Sequence, residues 1–257
     1  YYLNGNQIMT VLTDFLLQKK SDLNNLNAKC FIASTVVSSP IIKKIANHYN
    51  VQYKETLTGF KWIAKLIEDF PELQFIGGGE ESFGYLVGDS VRDKDAISAS
   101  LLACEIANEA KQNESSFFQL LLECYAKYGI YKERLVSITK KGRTGLTYIA
   151  QQMEDFRNNP PKNIGGSQVS VLEDYLNLTS YNFKLKQKKV LDYSPSNVII
   201  FKLENGTQIA LRPSGTEPKI KYYFSVNQSF DSQLSWKEQE SILEKRLDEL
   251  VLSIVPS

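Results

Sequence analysis

The hydrophobic rhythm of the chain changes once, near Gly129, and that change rules out a single uniform fold. Before it, spacing predicts helices over 7–19, 41–49, 60–70, 95–111 and 116–128, with short β-branched or apolar strands over 29–35, 51–54 and 73–76. Ile8, Val11, Leu12, Phe15 and Leu16 set the helical spacing of the first. At the second, Ser38 or Ser39 offers a capping hydroxyl and Pro40 suits the first turn. Strands alternating with helices of this length imply an α/β layered domain with mostly parallel pairing. Beyond Gly129, a helix over 146–157 stops at Asn158-Asn159-Pro160-Pro161, and strand-like runs follow over 167–172, 188–192, 197–203, 208–212 and 219–226. Asn205-Gly206 marks a hairpin between two of them, so the pairing there is mainly antiparallel, and an amphipathic helix over 236–252 closes the chain. The expected organisation is therefore an α/β domain over 1–130 and a smaller α+β domain over 131–257. The single basic run, Lys184 to Lys189, reads as a solvated turn.

Composition narrows the chemistry. With 30 Lys+Arg against 29 Asp+Glu the net charge is +1, too balanced for a general nucleic-acid binder. No apolar run approaches the roughly 18 residues a membrane span needs. Cys30, Cys104 and Cys124 are widely separated and His48 is the one histidine, so a structural zinc site is excluded. The cysteines read as small buried hydrophobes in a reducing cytoplasm. His48 lies in a helical stretch with no nucleophile elbow near it, which argues against a histidine-dependent hydrolase.

Four segments carry chemistry. Arg212-Pro213-Ser214-Gly215-Thr216-Glu217-Pro218 sets a guanidinium, two hydroxyls and a glycine amide between stiff prolines, a set that suits a phosphate dianion. Lys219 and Lys221 follow on one strand face and add positive charge. Gly77-Gly78-Gly79-Glu80-Glu81-Ser82-Phe83-Gly84 fits no nucleotide-loop pattern. Its two carboxylates would repel phosphate but accept from sugar hydroxyls, with Ser82 adding a contact; the alternative is a glycine turn with solvated acids. Thr58-Gly59-Phe60-Lys61 opens a helix, as a sugar or anion contact or as a plain cap. In Arg92-Asp93-Lys94-Asp95, Asp95 reads as a cap and Lys94 as a solvated charge or a substrate contact; two Asp without a supporting cluster make no metal site.

In this order, and with Asn4-Gly5-Asn6-Gln7 at the opening, these segments resemble the C-terminal half of the α-D-phosphohexomutases, the phosphoglucomutase/phosphomannomutase family. The resemblance spans essentially the whole chain. It implies a Rossmann-like α/β/α third domain carrying the sugar loop, then a smaller α+β fourth domain carrying the phosphate loop, around a central cleft. It implies that Glu80 and Ser82 hold sugar hydroxyls, that Thr58 and Gly59 contact the sugar, and that Arg212, Ser214, Gly215 and Thr216 clamp the non-transferring phosphate with Lys219 or Lys221. Lys94 resembles the lysine near the reacting oxygen.

Phe83-Gly84-Tyr85 departs from the dual-specificity bacterial branch, which has a histidine there, and this turns the expectation from mannose toward glucose or pentose phosphates. Neither the family's phosphoserine segment nor its Asp-rich Mg²⁺ loop occurs in the sequence. The resemblance therefore implies a fragment that binds a hexose phosphate without turnover. Mg²⁺, glucose 1,6-bisphosphate and the missing N-terminal domains belong to the longer, cytoplasmic enzyme. The abrupt start at Tyr1 fits that expectation. The alternatives are a non-catalytic sugar-phosphate-binding module and a relative acting on mannose, pentose or amino-sugar phosphates.

Overall fold

A computed structural model describes residues 1–140, 142–215 and 217–256, which form two compact units, Tyr1–Tyr131 and Lys132–Ser257. In chain order the first unit contains α1 (Gly5–Asp22), β1 (Cys30–Thr35), α2 (Ile41–His48), β2 (Gln52–Thr56), α3 (Phe60–Asp69), β3 (Gln74–Gly79), β4 (Tyr85–Val87), α4 (Ala96–Gln112) and α5 (Phe117–Tyr128). Its sheet has the order β2-β1-β3-β4, with β1 parallel to both β2 and β3 and β4 antiparallel to β3. This is the parallel-containing α/β layer the alternation predicts.

Helix α3 covers one sheet face through Phe60, Ile63 and Ile67 on Phe31, Ala33, Phe75 and Leu86. Helix α1 lies on the other, where Leu16 meets Gly77 and Thr13 meets the Tyr85 phenol at 3.2 Å. The glycine cluster is not a turn. It lies inside β3, where a register shift opposite Phe31/Ile32 puts Gly77 and Gly79 on the α1 face and Gly78 opposite Ala33. A Cβ on Gly78 would stand 2.2 Å from the Ala33 carbonyl oxygen. A Cβ on Gly79 would meet the Tyr85 ring at 2.9 Å and the Gly84 carbonyl oxygen at 2.3 Å. These glycines let backbone and the Tyr85 ring close over the strand.

Two local expectations fail. The α2 N-cap is Pro40, without a side-chain cap; the Ser38 hydroxyl sits 2.9 Å from that of Thr35 instead. Cys30 and Cys124 are buried but Cys104 is exposed on α4. A buried carboxylate, Asp14, ties α1 to α5 and to the end of α2: it accepts from Tyr128 at 2.5 Å, Tyr49 at 3.2 Å, Lys127 at 3.4 Å and the Cys124 thiol at 3.5 Å. Burial and this anion push the Tyr49, Cys124 and Tyr128 ionisations up.

Strand β5 (Ile130–Thr139) begins at the end of the first unit and continues into the second. The second unit continues with α6 (Arg143–Asn158), β6 (Asn163–Ile164), β7 (Ser167–Asp174), β8 (Thr179–Asn182), β9 (Gln187–Val190), β10 (Ile199–Leu203), β11 (Gln208–Pro213), β12 (Lys219–Gln228) and α7 (Trp236–Ile254). Its sheet runs β5-β12-β11-β10-β7-β8-β9, with the pairs from β12 through β9 antiparallel. Phe156 of α6 packs edge-on against Phe201 of β10. Helix α7 starts from a Ser235/Glu238 capping box and is tied to β5 by acids that pair with Lys132 and Arg134. The Lys184–Lys189 run is only partly a turn: Gln187–Val190 form the exposed edge strand β9. Lysines on an open edge discourage pairing with another chain.

Candidate functional site

In the first unit the chemistry gathers at the C-terminal ends of β1 and β3. Strand β1 connects through α2 to β2 on one side, and β2 connects through α3 back to β3 on the other. Such a reversal leaves a crevice beyond the strand ends where α/β proteins bind ligands. The loop 80–84 that joins β3 to β4 occupies this edge.

Glu80 opens the loop and is 8% exposed. Its Oε1 accepts from the Gly59 N–H at 2.7 Å, so the α3 cap and the loop, 21 residues apart, hold each other. Gly59, at φ +117°, is the N-cap of α3, a conformation that disfavours a side chain. The Glu80 N–H also donates to the Gly84 carbonyl at 2.8 Å and closes the loop on itself. Around Gly84, the ideal Cβ position lies 3.5 Å from Glu80 Oε2, 3.4 Å from the Lys94 chain and 3.6 Å from the Phe60 ring. Glu80, Gly84, Phe60 and Lys94 thus form one neighbourhood, with the Lys94 ammonium 5.9 Å from the Phe60 ring centroid.

The remaining residues of this unit differ in availability. Ser82 is exposed at the loop tip. The Thr58 hydroxyl is buried with no partner and caps nothing. Glu81 faces the end of β1, accepting from the Thr35 hydroxyl at 3.4 Å. Lys94 pairs with Asp93 at 3.0 Å in the open, and that hydrogen bond holds the Asp93 carboxyl below its usual range. Asp95 caps α4 through the Ile97 and Ser98 amides, while its own N–H donates to the Tyr85 carbonyl. Tyr85 is fully buried with its phenol on Thr13, and burial raises its ionisation. His48 is exposed at the C-terminal end of α2, the end away from the loop, and its ring meets Tyr49 and Tyr128 edge-on.

In the second unit the cations gather at one hairpin. Strands β11 and β12 place Arg212 directly opposite Lys221, and the Ser214 N–H donates to the Lys219 carbonyl at 2.7 Å. Alternation then puts Arg212, Ser214, Lys219 and Lys221 on one sheet face. Arg212, Lys219 and Lys221 are half-buried, and no carboxylate among the described residues pairs with them. Three unneutralised cations close together repel one another and are relieved by an anion. The Ser214 hydroxyl accepts from the Glu217 N–H at 3.4 Å, and Gly215 is exposed. Thr216 lies outside the described residues.

Sequence reasoning placed these groups by motif but missed three features. They are the Gly59–Glu80 bond, the left-handed backbone of Phe83 (φ +67°) and the close approach of Gly5, whose Cβ would stand 2.0 Å from the Glu81 carbonyl oxygen. Only Gly5, in Asn4-Gly5-Asn6, left a legible sign. Among the described residues no group of three or more His, Cys, Asp and Glu side chains is placed to hold a metal ion.

Residues 4–128 match the model of the phosphoglucomutase/phosphomannomutase α/β/α domain III. The chain is 39% identical to the phosphoglucomutase of Staphylococcus aureus strain MRSA252 over 226 residues, 88% of this chain and 40% of that protein. It thus spans about two fifths of the length of the relatives it matches. The fold is shared with a Paramecium phosphoglucomutase, the exocytosis-sensitive phosphoprotein parafusin, at a TM-score of 0.65 and 18% identity, covering 100% of this chain and 43% of that one. It is also shared with a phosphoglucomutase/phosphomannomutase family protein of Burkholderia thailandensis, at 0.53 and 11%, covering 99% and 43%.

Proposed function

From the premise that this chain belongs to the phosphoglucomutase/phosphomannomutase family, we propose that it is the sugar- and phosphate-recognition part of a phosphohexomutase. The longer protein interconverts glucose 1-phosphate and glucose 6-phosphate. By resemblance the phosphoserine and the Mg²⁺ site come from its other domains; among the described residues no group of three or more His, Cys, Asp and Glu side chains fits a metal ion. This chain alone binds its ligand without turning it over.

Each unit carries one recognition element. Glu80 accepts from sugar hydroxyls through Oε2, since Oε1 is held by Gly59, and Ser82 adds a second contact from the exposed tip. The Thr58 hydroxyl, buried beside Gly59 with no hydrogen-bond partner, is left to meet the sugar. Arg212 offers a planar fork to two phosphate oxygens, Lys219 and Lys221 balance the dianion, and Ser214 and the Gly215 amide approach closely. Thr216 completes that set by resemblance. Lys94 meets charge developing on a reacting sugar oxygen once it leaves Asp93, and an exposed ion pair of this kind is weak enough to exchange.

The observation that carries the reading is the hairpin with three cations on one face and no carboxylate partner among the described residues. Calorimetric titration of the chain with glucose 1-phosphate, mannose 1-phosphate and inorganic phosphate tests it. Glucose 1-phosphate should bind more tightly than phosphate, and Arg212→Ala should weaken both by about 2–3 kcal/mol. An unchanged dissociation constant in Arg212→Ala refutes the phosphate site.

A further inference from the structure

We propose that the Phe83 ring is the apolar platform on which the sugar ring of the hexose phosphate rests; this deepens, and depends on, the sugar-loop reading above. Residues 80–84 form a five-residue hairpin loop, closed by the Glu80-to-Gly84 backbone bond. Hairpin loops of this length commonly place one residue in the left-handed region, normally glycine or asparagine. Here that residue is Phe83, at φ +67°, although Gly84 stands next to it. A bulky aromatic residue in this conformation carries steric strain.

The strain does not serve packing within the core. Phe83 is 66% exposed, among the most exposed aromatic side chains of the first unit. Its backbone is nonetheless fixed: a Cβ on Gly5 would stand 2.8 Å from the Phe83 nitrogen, so α1 lies directly against the loop. A rigid support therefore displays an apolar ring to solvent. Phe83 and Glu80 line one cleft of about 230 Å³, walled by Ile8, Met9 and Leu12 of α1 and by the small residues Ala99 and Ala103 of α4. Ser82 is exposed beside them.

A pyranose whose hydroxyls lie equatorially has polar edges and a face of C–H groups. Its recognition needs acceptors and donors at the edge and an apolar surface at the face. Glu80 and Ser82 supply the first, Phe83 the second. Inorganic phosphate has no such face, so the ring matters only for the sugar.

The test is calorimetry of the chain with glucose 1-phosphate and with inorganic phosphate, for wild type, Phe83→Leu and Phe83→Trp, with melting curves for Phe83→Gly. Phe83→Leu should lower glucose 1-phosphate affinity about fivefold and leave phosphate unchanged, while Phe83→Trp retains wild-type affinity. Phe83→Gly should melt no lower than wild type, because glycine relieves the strained φ. A wild type that favours the sugar phosphate alongside a Phe83→Leu variant with the same preference overturns the platform and leaves the sugar loop standing. A wild type that binds glucose 1-phosphate no better than phosphate overturns both. A Phe83→Gly variant that melts well below wild type assigns the ring to packing and overturns the platform.

Discussion

Glu80 does two things with one carboxylate, and two substitutions separate them. Oε1 holds the Gly59 N–H at 2.7 Å, while Oε2 faces the Gly84–Lys94 neighbourhood. Glu80→Ala removes both functions. A hydrogen bond to a charged acceptor contributes about 1.5–3 kcal/mol net, and the half-buried Gly59 amide recovers part of that from water. We expect a loss of about 2 kcal/mol, several degrees in melting temperature for a unit spanning Tyr1–Tyr131. Glu80→Gln keeps an oxygen for Gly59 and changes stability by less than about 1 kcal/mol, but it loses the charge-assisted bond to a sugar hydroxyl. Both variants should lose about tenfold in glucose 1-phosphate affinity and nothing in phosphate affinity. Thermal unfolding and calorimetry on the same preparations give the two readouts. If Glu80→Ala melts with wild type, the anchor is wrong. If Glu80→Gln keeps the sugar preference, the recognition role is wrong.

Further outcomes are expected elsewhere. A Cβ on Gly215 meets no atom within 4 Å, so Gly215→Ala should leave stability unchanged; a fall in phosphate affinity would then report a ligand approaching that backbone, and unchanged affinity would remove Gly215 from the site. Asp14→Ala strands two phenols and Lys127, and should destabilise the first unit by about 3–5 kcal/mol in urea unfolding; a loss below about 1 kcal/mol would show the cluster to be incidental. Burial works against the Glu244 anion, yet bonds from Lys132 and Arg134 hold its ionisation below the ordinary value near 4.5. A depressed folded pKa gives stability that is present above the unfolded value and lost as pH falls through the folded one. Glu244→Gln should therefore flatten the stability decline below about pH 4.5 and, because the group is largely solvated, change neutral stability by less than about 1 kcal/mol. Denaturation at pH 7 and pH 4 decides this, an unchanged acid slope refuting it.

Much of the fold was legible because long periodic segments report burial directly. Helices α4 and α5 fall within about a residue of the spans that apolar spacing predicts. Strand β4 escaped because three residues, Tyr85–Val87, are too few to show a period. Strand β5 escaped for a different reason. Its Lys132 and Arg134 look like solvent charges until α7 is seen to bring Glu240, Glu244 and Asp248 against them, and the i, i+4, i+8 spacing of those acids was the available sign. The glycine cluster misled because glycine marks both turns and close approach, and only the position of the Tyr85 ring distinguishes them. At the site, residue types were readable by motif, whereas the Gly59–Glu80 bond depends on strand order and is not contained in local spacing.

The two candidate elements solve opposite physical problems. The loop at 80–84 is over-determined: α1 abuts it at Gly5, the α3 cap holds it through Gly59, and its own ends close at Gly84. Little conformational entropy remains to be lost there on binding, which suits discrimination among sugars that differ by one hydroxyl orientation. The hairpin at 212–221 instead holds like charges together without a carboxylate partner among the described residues, a ground state that an anion improves. On the proposed reading, geometry sets selectivity in the first unit and charge sets affinity in the second. By the same reading one sugar is bound from either end, and the charge element serves both orientations because a phosphate looks the same to it whichever carbon bears it. The sugar element must accept a ring turned end for end. An apolar face such as Phe83, which imposes no donor–acceptor register, tolerates that exchange better than a further set of hydrogen bonds would.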